Sequence, residues 1–200
     1  MALRHAIPTT FAAALVLAPT AALAHAGHGD ASGLMNGFTH PITGIDHVLA
    51  MVAVGVLAAQ LGGRALWLVP LSFVGIMVIG GALGIAGIPL PFAELGVALS
   101  VVILGLAVAL PFRLQTLAAV ALAGFFALFH GHVHGAEMPA AASAVYYATG
   151  FIASTVLLHA TGVGLGLLLG PETGRLGRLA VQAGGGAIAV FGAAILVGAL

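Results

Sequence analysis

The sequence predicts an all-α, polytopic membrane protein with six transmembrane helices behind a cleaved signal peptide. Three observations predict it. Of the 200 residues, 62% are hydrophobic and only 5% are charged, and mean hydropathy is +1.22. A soluble domain carries about 25% charged residues, so this chain cannot cover a water-facing surface and belongs in a bilayer. Second, six apolar stretches, about 41–61, 65–86, 92–110, 114–130, 142–167 and 180–200, approach the roughly 20 residues a spanning helix needs. Third, the arginines fall in alternate loops: Arg64 in the first, Arg113 in the third, Arg175 and Arg178 in the fifth.

The N-terminus comes first in order. Met1 to Arg4 supplies a short positive region, Ala6 to Ala22 an apolar one, and Ala22-Leu23-Ala24 an A-x-A cleavage site. Residues 1–24 therefore read as a signal peptide. Cleavage would leave His25 as the mature N-terminus, where its free amine and imidazole can chelate a metal together, with His28 three residues on. The alternative for 27–33 is a solvated linker with incidental histidines. Residues 25–40 form an extracytoplasmic segment, and 41–200 the six-helix domain. The positive-inside rule puts the arginine-bearing loops in the cytoplasm, and the mature N-terminus outside. This is the topology of a multi-pass protein of the bacterial inner membrane.

Composition also excludes. There is no Cys, which removes disulfides, zinc–thiolate sites and iron–sulfur clusters. Five Arg and no Lys balance five acids, so no nucleic-acid partner is implied. There is no phosphate-binding glycine loop ending in Lys, and no ATPase subunit is evident. The compositional anomaly is nine His in so apolar a chain.

The first motif is His40-Pro41-Ile42-Thr43-Gly44-Ile45-Asp46-His47. Pro41 suits the first position of a helix, with His40 at the N-cap. If that helix runs on, His40, His47 and Met51 share a stripe. Asp46 is then close enough to ligate a metal or to orient the His47 ring. Ionisable groups at membrane depth are costly and mark a site by default. Imidazole with carboxylate suits a borderline divalent metal. Met51 alone reads as core filler.

The second motif is Phe129-His130-Gly131-His132-Val133-His134-Gly135-Ala136-Glu137. In an extended backbone the three histidines share one side, and the two glycines allow a turn and a close approach to an ion. The fourth apolar stretch is short, so its His-bearing end is expected to meet water. His132 is the freest-looking of the three. His159 lies deep in the fifth stretch and reads as part of an inward path, and Glu94 as either a ligand or a solvated interface residue. Ser154, Thr155 and Thr161 suit local or interhelical hydrogen bonds, and Trp67, Tyr146 and Tyr147 the aromatic belts. Gly80-Gly81-Ala82-Leu83-Gly84 and Gly162 with Gly166 have the small-xxx-small spacing of close helix packing. Gly184-Gly185-Gly186 either packs tightly or loosens the last helix.

His40 to Met51, with Gly55 following, resembles the first signature of the HupE/UreJ family. Phe129 to Pro139 resembles the second, an F-H-G-x-x-H-G-x-E pattern. The resemblance covers essentially the whole mature chain. It implies uptake of nickel or cobalt, often beside hydrogenase or urease. It also implies roles for His40, Asp46 and His47 in the first motif and for His130, His134 and Glu137 in the second. His132 stands at a variable position of the pattern.

The reading that follows is a membrane permease and not an enzyme. Its substrate is a divalent transition metal, nickel or cobalt before zinc, with no catalytic cofactor, and the ion enters from the outer face. The alternatives are a metal-dependent intramembrane hydrolase and a non-transporting metal-binding partner of a hydrogenase or urease. Beyond the ion and the lipid bilayer, a homo-oligomer is left open.

Overall fold

The computed structural model describes residues 30–111, 114–170 and 174–199. The expected signal peptide, with His25 and His28, lies outside the described residues. Among the described residues seven α-helices follow in order: α1 (Asp30–Thr43), α2 (Ile45–Leu61), α3 (Ala65–Ile85), α4 (Ala93–Ala109), α5 (Thr116–Ala136), α6 (Ala144–Leu169) and α7 (Gly174–Leu196). No strand occurs among the described residues.

Helices α3, α5, α6 and α7 are long and apolar enough to cross a membrane. The bent pair α1 and α2 makes a fifth candidate when counted as one span. Helix α4 is apolar but has 17 residues; at 1.5 Å per residue it rises about 25 Å, short of a hydrocarbon core of about 30 Å. The protein is thus an all-helical, multi-pass membrane protein.

Two boundaries differ from the sequence reading, and both bear on function. The first expected span does not begin at Pro41. His40 and Pro41 lie inside α1, and the chain bends by 80° at Gly44 before α2 begins. The N-cap of α2 is Gly44, not His40 of a longer helix. Helix α1 continues through Pro41 to Thr43, and the stop falls at Gly44, whose backbone is extended (φ −87°, ψ 114°). The single stripe expected for His40, His47 and Met51 therefore does not exist. Met51 is fully buried core, as expected.

The second difference is α5. It runs through the whole His-rich motif to Ala136, so the motif is neither an extended strand nor an outer loop. Its histidine end is buried, contrary to the water-facing end expected of a short span.

Close packing through glycine holds the bundle. Without a water-driven force between helices in lipid, contact comes from van der Waals packing of small residues. Helix α3 packs on α5, α4 on α7, α2 on α6 and α1 on α6. A Cβ at Gly80 or Gly84 would strike the α5 backbone, and one at Gly131 or Gly135 the α3 backbone at Met77 and Gly81. Gly55 and Gly162 face each other between α2 and α6, and Gly105 and Gly185 between α4 and α7. Gly184 and Gly186 have open space beside them and α7 is continuous, so the glycine triplet packs through its middle member without loosening the helix.

The two ends of the bundle differ. At one end a small hollow of ≈ 100 Å³ is lined by Gln60, Leu61, Leu110, Gly170, Arg178 and Gln182, which gathers the ends of α2, α4 and α6 with the start of α7. At the other end lie the α1–α2 break, the start of α4 and the end of α5.

Candidate metal centre

The break between α1 and α2 builds the first half of the site. Thr43 donates its hydroxyl to the His40 carbonyl at 2.9 Å, which closes the end of α1. Gly44 accepts from Val48 N at 3.0 Å and starts α2. Within that first turn Asp46 Oδ1 accepts from the His47 backbone N–H at 2.8 Å and from His47 Nδ1 at 2.7 Å. A carboxylate in the first turn also suits the positive end of the helix dipole. A Cβ at Gly44 would stand 2.8 Å from His47 Nδ1 and 2.9 Å from Asp46 Oδ1, so a larger residue collides with this pair. The carboxylate fixes the tautomer of His47: Nδ1 carries the proton, and Nε2 presents its lone pair. That Nε2 is buried and has no hydrogen-bond partner.

Helix α5 builds the second half. His130 and His134 are one helical turn apart and share a face, while the intervening Gly131 and the following Gly135 sit against α3. The glycines thus bring α5 close to a backbone, but it is that of α3 and not an ion. Close packing on α3 aims the two imidazoles inward. His132 points elsewhere and donates Nε2–H to the Ile88 carbonyl at 2.7 Å, tying α5 to the α3–α4 turn.

The two halves meet. The His134 ring lies 4.1 Å from that of His47 and 4.6 Å from that of His40, centroid to centroid. His47 lies 4.7 Å from His130. His40 Nε2 and Glu137 Oε2 are 3.1 Å apart. One ligand atom each from His40, His134 and Glu137 lies within 4.8 Å of the other two, a spacing at which they can hold one ion. Both nitrogens of His134 are buried and unpartnered. So many imidazole nitrogens buried without partners is costly, and together with the carboxylates they are a donor set that could hold a divalent metal.

Access is on the carboxylate side. A hollow of ≈ 400 Å³ is lined by Asp46, His47, Glu94, Val133, Glu137 and Leu196, among others, with no Arg among the described residues that line it. Glu94 is exposed on the rim of this hollow at the first turn of α4. Three carboxylates around one opening attract a dication.

His40, Asp46, His47, His130, His134 and Glu137, drawn from two motifs some 90 residues apart in sequence, therefore assemble into one cluster. His159 does not touch it directly. Phe73 stands between, its ring 5.5 Å from His130 and 5.1 Å from His159. Both His159 nitrogens are buried and unpartnered, and the same side chain borders a groove on the flank between α3 and α6 that Trp67 and Pro70 also line. His47, His130, His132 and His134 are buried, as His159 is. Three neighbours were missed. Phe73 is fully buried between two histidines and carries no polar signal. Tyr147 was assigned to an aromatic belt but is 3% exposed with its hydroxyl unpartnered, its ring 6.2 Å from His40. Ser100, a lone hydroxyl in the apolar α4, bonds His130; its isolation among Val, Leu and Ala was the available signal. Ser154 and Thr161 bond their own helix, and Thr155 reaches Met77 Sδ at 3.7 Å, as read from sequence.

The model of the family described as HupE / UreJ protein matches residues 13–195. The chain belongs to the HupE/UreJ family. The protein described as "Protein HupE" from Rhizobium leguminosarum bv. viciae is 50% identical over 191 residues, which is 95% of this chain and 97% of that relative. No solved structure matches. Both HupE/UreJ signatures lie within the matched span, and the cluster is where they converge.

Proposed function

We propose that this HupE/UreJ protein is a permease for uptake of a divalent transition metal, nickel or cobalt ahead of zinc. One observation carries the reading: His40, His134 and Glu137 present ligand atoms within 4.8 Å of one another beside the tautomer-fixed His47. Imidazole and carboxylate without thiolate suit these metals and release them more readily than sulfur does.

The ion reaches the carboxylate-rimmed hollow as a hydrate. His40, His134 and Glu137 replace part of its water, and Glu137 offsets its charge. Asp46 holds the His47 ring so that Nε2 faces the ion as the next ligand, and His130 follows. Phe73 and His159 lie on the inward continuation. His25 and His28 would capture ions ahead of this centre. The hollow faces outward and the arginine-bearing ends face the cytoplasm of a bacterial inner-membrane protein, with six passes and a mature N-terminus outside. A dication gains roughly 4–5 kcal/mol on entering across 100 mV, from about 2.3 per charge, enough to drive uptake without a motor or a catalytic cofactor. On this reading the chain is not an enzyme.

The test is uptake by proteoliposomes containing only this protein, with nickel, cobalt, zinc, copper and manganese compared under an inside-negative potential. Saturable entry of nickel or cobalt is expected. Binding without entry would return the chain to the alternative of a non-transporting metal-binding partner.

A further inference from the structure

We propose that Ser100 is a positioning residue that fixes the tautomer of His130 and so decides which of its nitrogens is offered to the ion. The inference rests on the permease reading only for the identity of the ligand.

Ser100 sits in the middle of α4 and is fully buried. Its Oγ lies 2.6 Å from the Val97 carbonyl oxygen. Two oxygens approach that closely only with a proton between them, and the carbonyl has none to give. The single hydroxyl proton therefore goes to Val97, and Oγ is left as an acceptor. His130 Nε2 lies 2.8 Å from the same Oγ, so Nε2 must carry the imidazole proton. In a neutral ring the lone pair then belongs to Nδ1. That Nδ1 is buried and has no partner, on a ring 4.7 Å from His47.

His47 and His130 are thus fixed in opposite senses by two different groups. Asp46 accepts from Nδ1–H of one and leaves Nε2 with the lone pair; Ser100 accepts from Nε2–H of the other and leaves Nδ1 with it. The carboxylate comes from the first signature of the chain, but the hydroxyl comes from a helix that neither signature includes. A neutral hydroxyl orients a ligand without adding the charge that a second carboxylate would place deep in the path.

The direct test is nitrogen NMR of protein labelled at histidine, in lipid and without metal. His130 should report Nε2–H in the wild type, and Ser100→Ala should lose that single tautomer. Nickel affinity of Ser100→Ala, measured by titration of the folded protein, should weaken about 10- to 100-fold, as for other groups that orient a metal-bound histidine, and Ser100→Thr should restore both signals. A wild-type His130 carrying its proton on Nδ1 would overturn the inference, as would Ser100→Ala binding nickel as the wild type does. Because the tautomer is read without metal, a protein that shows Nε2–H but transports nothing would fault the permease reading and leave the positioning role intact.

Discussion

At the scale of single residues, histidines that share a motif differ in what they touch. His134 has two unpartnered nitrogens at the meeting point of His40 and His47, whereas His132 is already committed to the Ile88 carbonyl. His134→Ala should abolish nickel uptake. His132→Ala should leave uptake per folded molecule in place but lower stability by about 0.5–1.5 kcal/mol, the net worth of the lost hydrogen bond, read as a fall in thermal unfolding temperature. Asp46→Asn keeps the shape of the side chain but no longer requires the proton on His47 Nδ1; nickel affinity by titration should fall about 10- to 100-fold. The identities of these residues were legible in the sequence, because a His or Asp at membrane depth is expensive enough to be noticed alone. Their partners were not. Nothing in the spacing of 40, 47, 130 and 134 says that Phe73 fills the space before His159, or that Ser100 reaches across from α4.

At the scale of elements, the helix break and the glycine contacts are what hold the ligands. The break was misread because Pro41 suits the first position of a helix, whereas α1, packed on α6, carries Pro41 near its end. The His-rich stretch was misread because alternation of His with Gly looks extended, and Gly lowers helix propensity by about 1 kcal/mol. Packing on α3 overrides that cost, since each glycine is where two backbones meet. Gly135→Ala should therefore push α5 off α3, costing about 1–3 kcal/mol of stability and displacing His134 enough to lose uptake. Gly186→Ala, where a Cβ meets open space, should leave uptake unchanged and stability equal or up to about 1 kcal/mol higher. Thermal unfolding of both variants in the same detergent checks the contrast.

At the scale of the whole molecule, the sequence made the membrane class plain from hydropathy alone, while the count of passes depends on a bent pair and a 17-residue helix that no hydropathy window resolves. The molecule is polar at two ends for different reasons. One end gathers Asp46, Glu94 and Glu137 around a hollow; the other gathers Gln60, Gln182 and Arg178. This asymmetry suits an ion that is attracted at one face and leaves at the other. Imidazole binds a metal only when unprotonated, so protons and the ion compete for the same nitrogens. Uptake at fixed membrane potential should therefore decline as the outer solution is acidified, and recover on return to neutrality.

The most direct measurement is initial nickel uptake into proteoliposomes at saturating nickel, comparing the wild type with His47→Ala and His134→Ala reconstituted to equal amounts of folded protein. Passage through the imidazole–carboxylate centre predicts saturable entry for the wild type and background entry for both variants. Wild-type rates in either variant would mean that the ion crosses without these ligands, and the account would be contradicted.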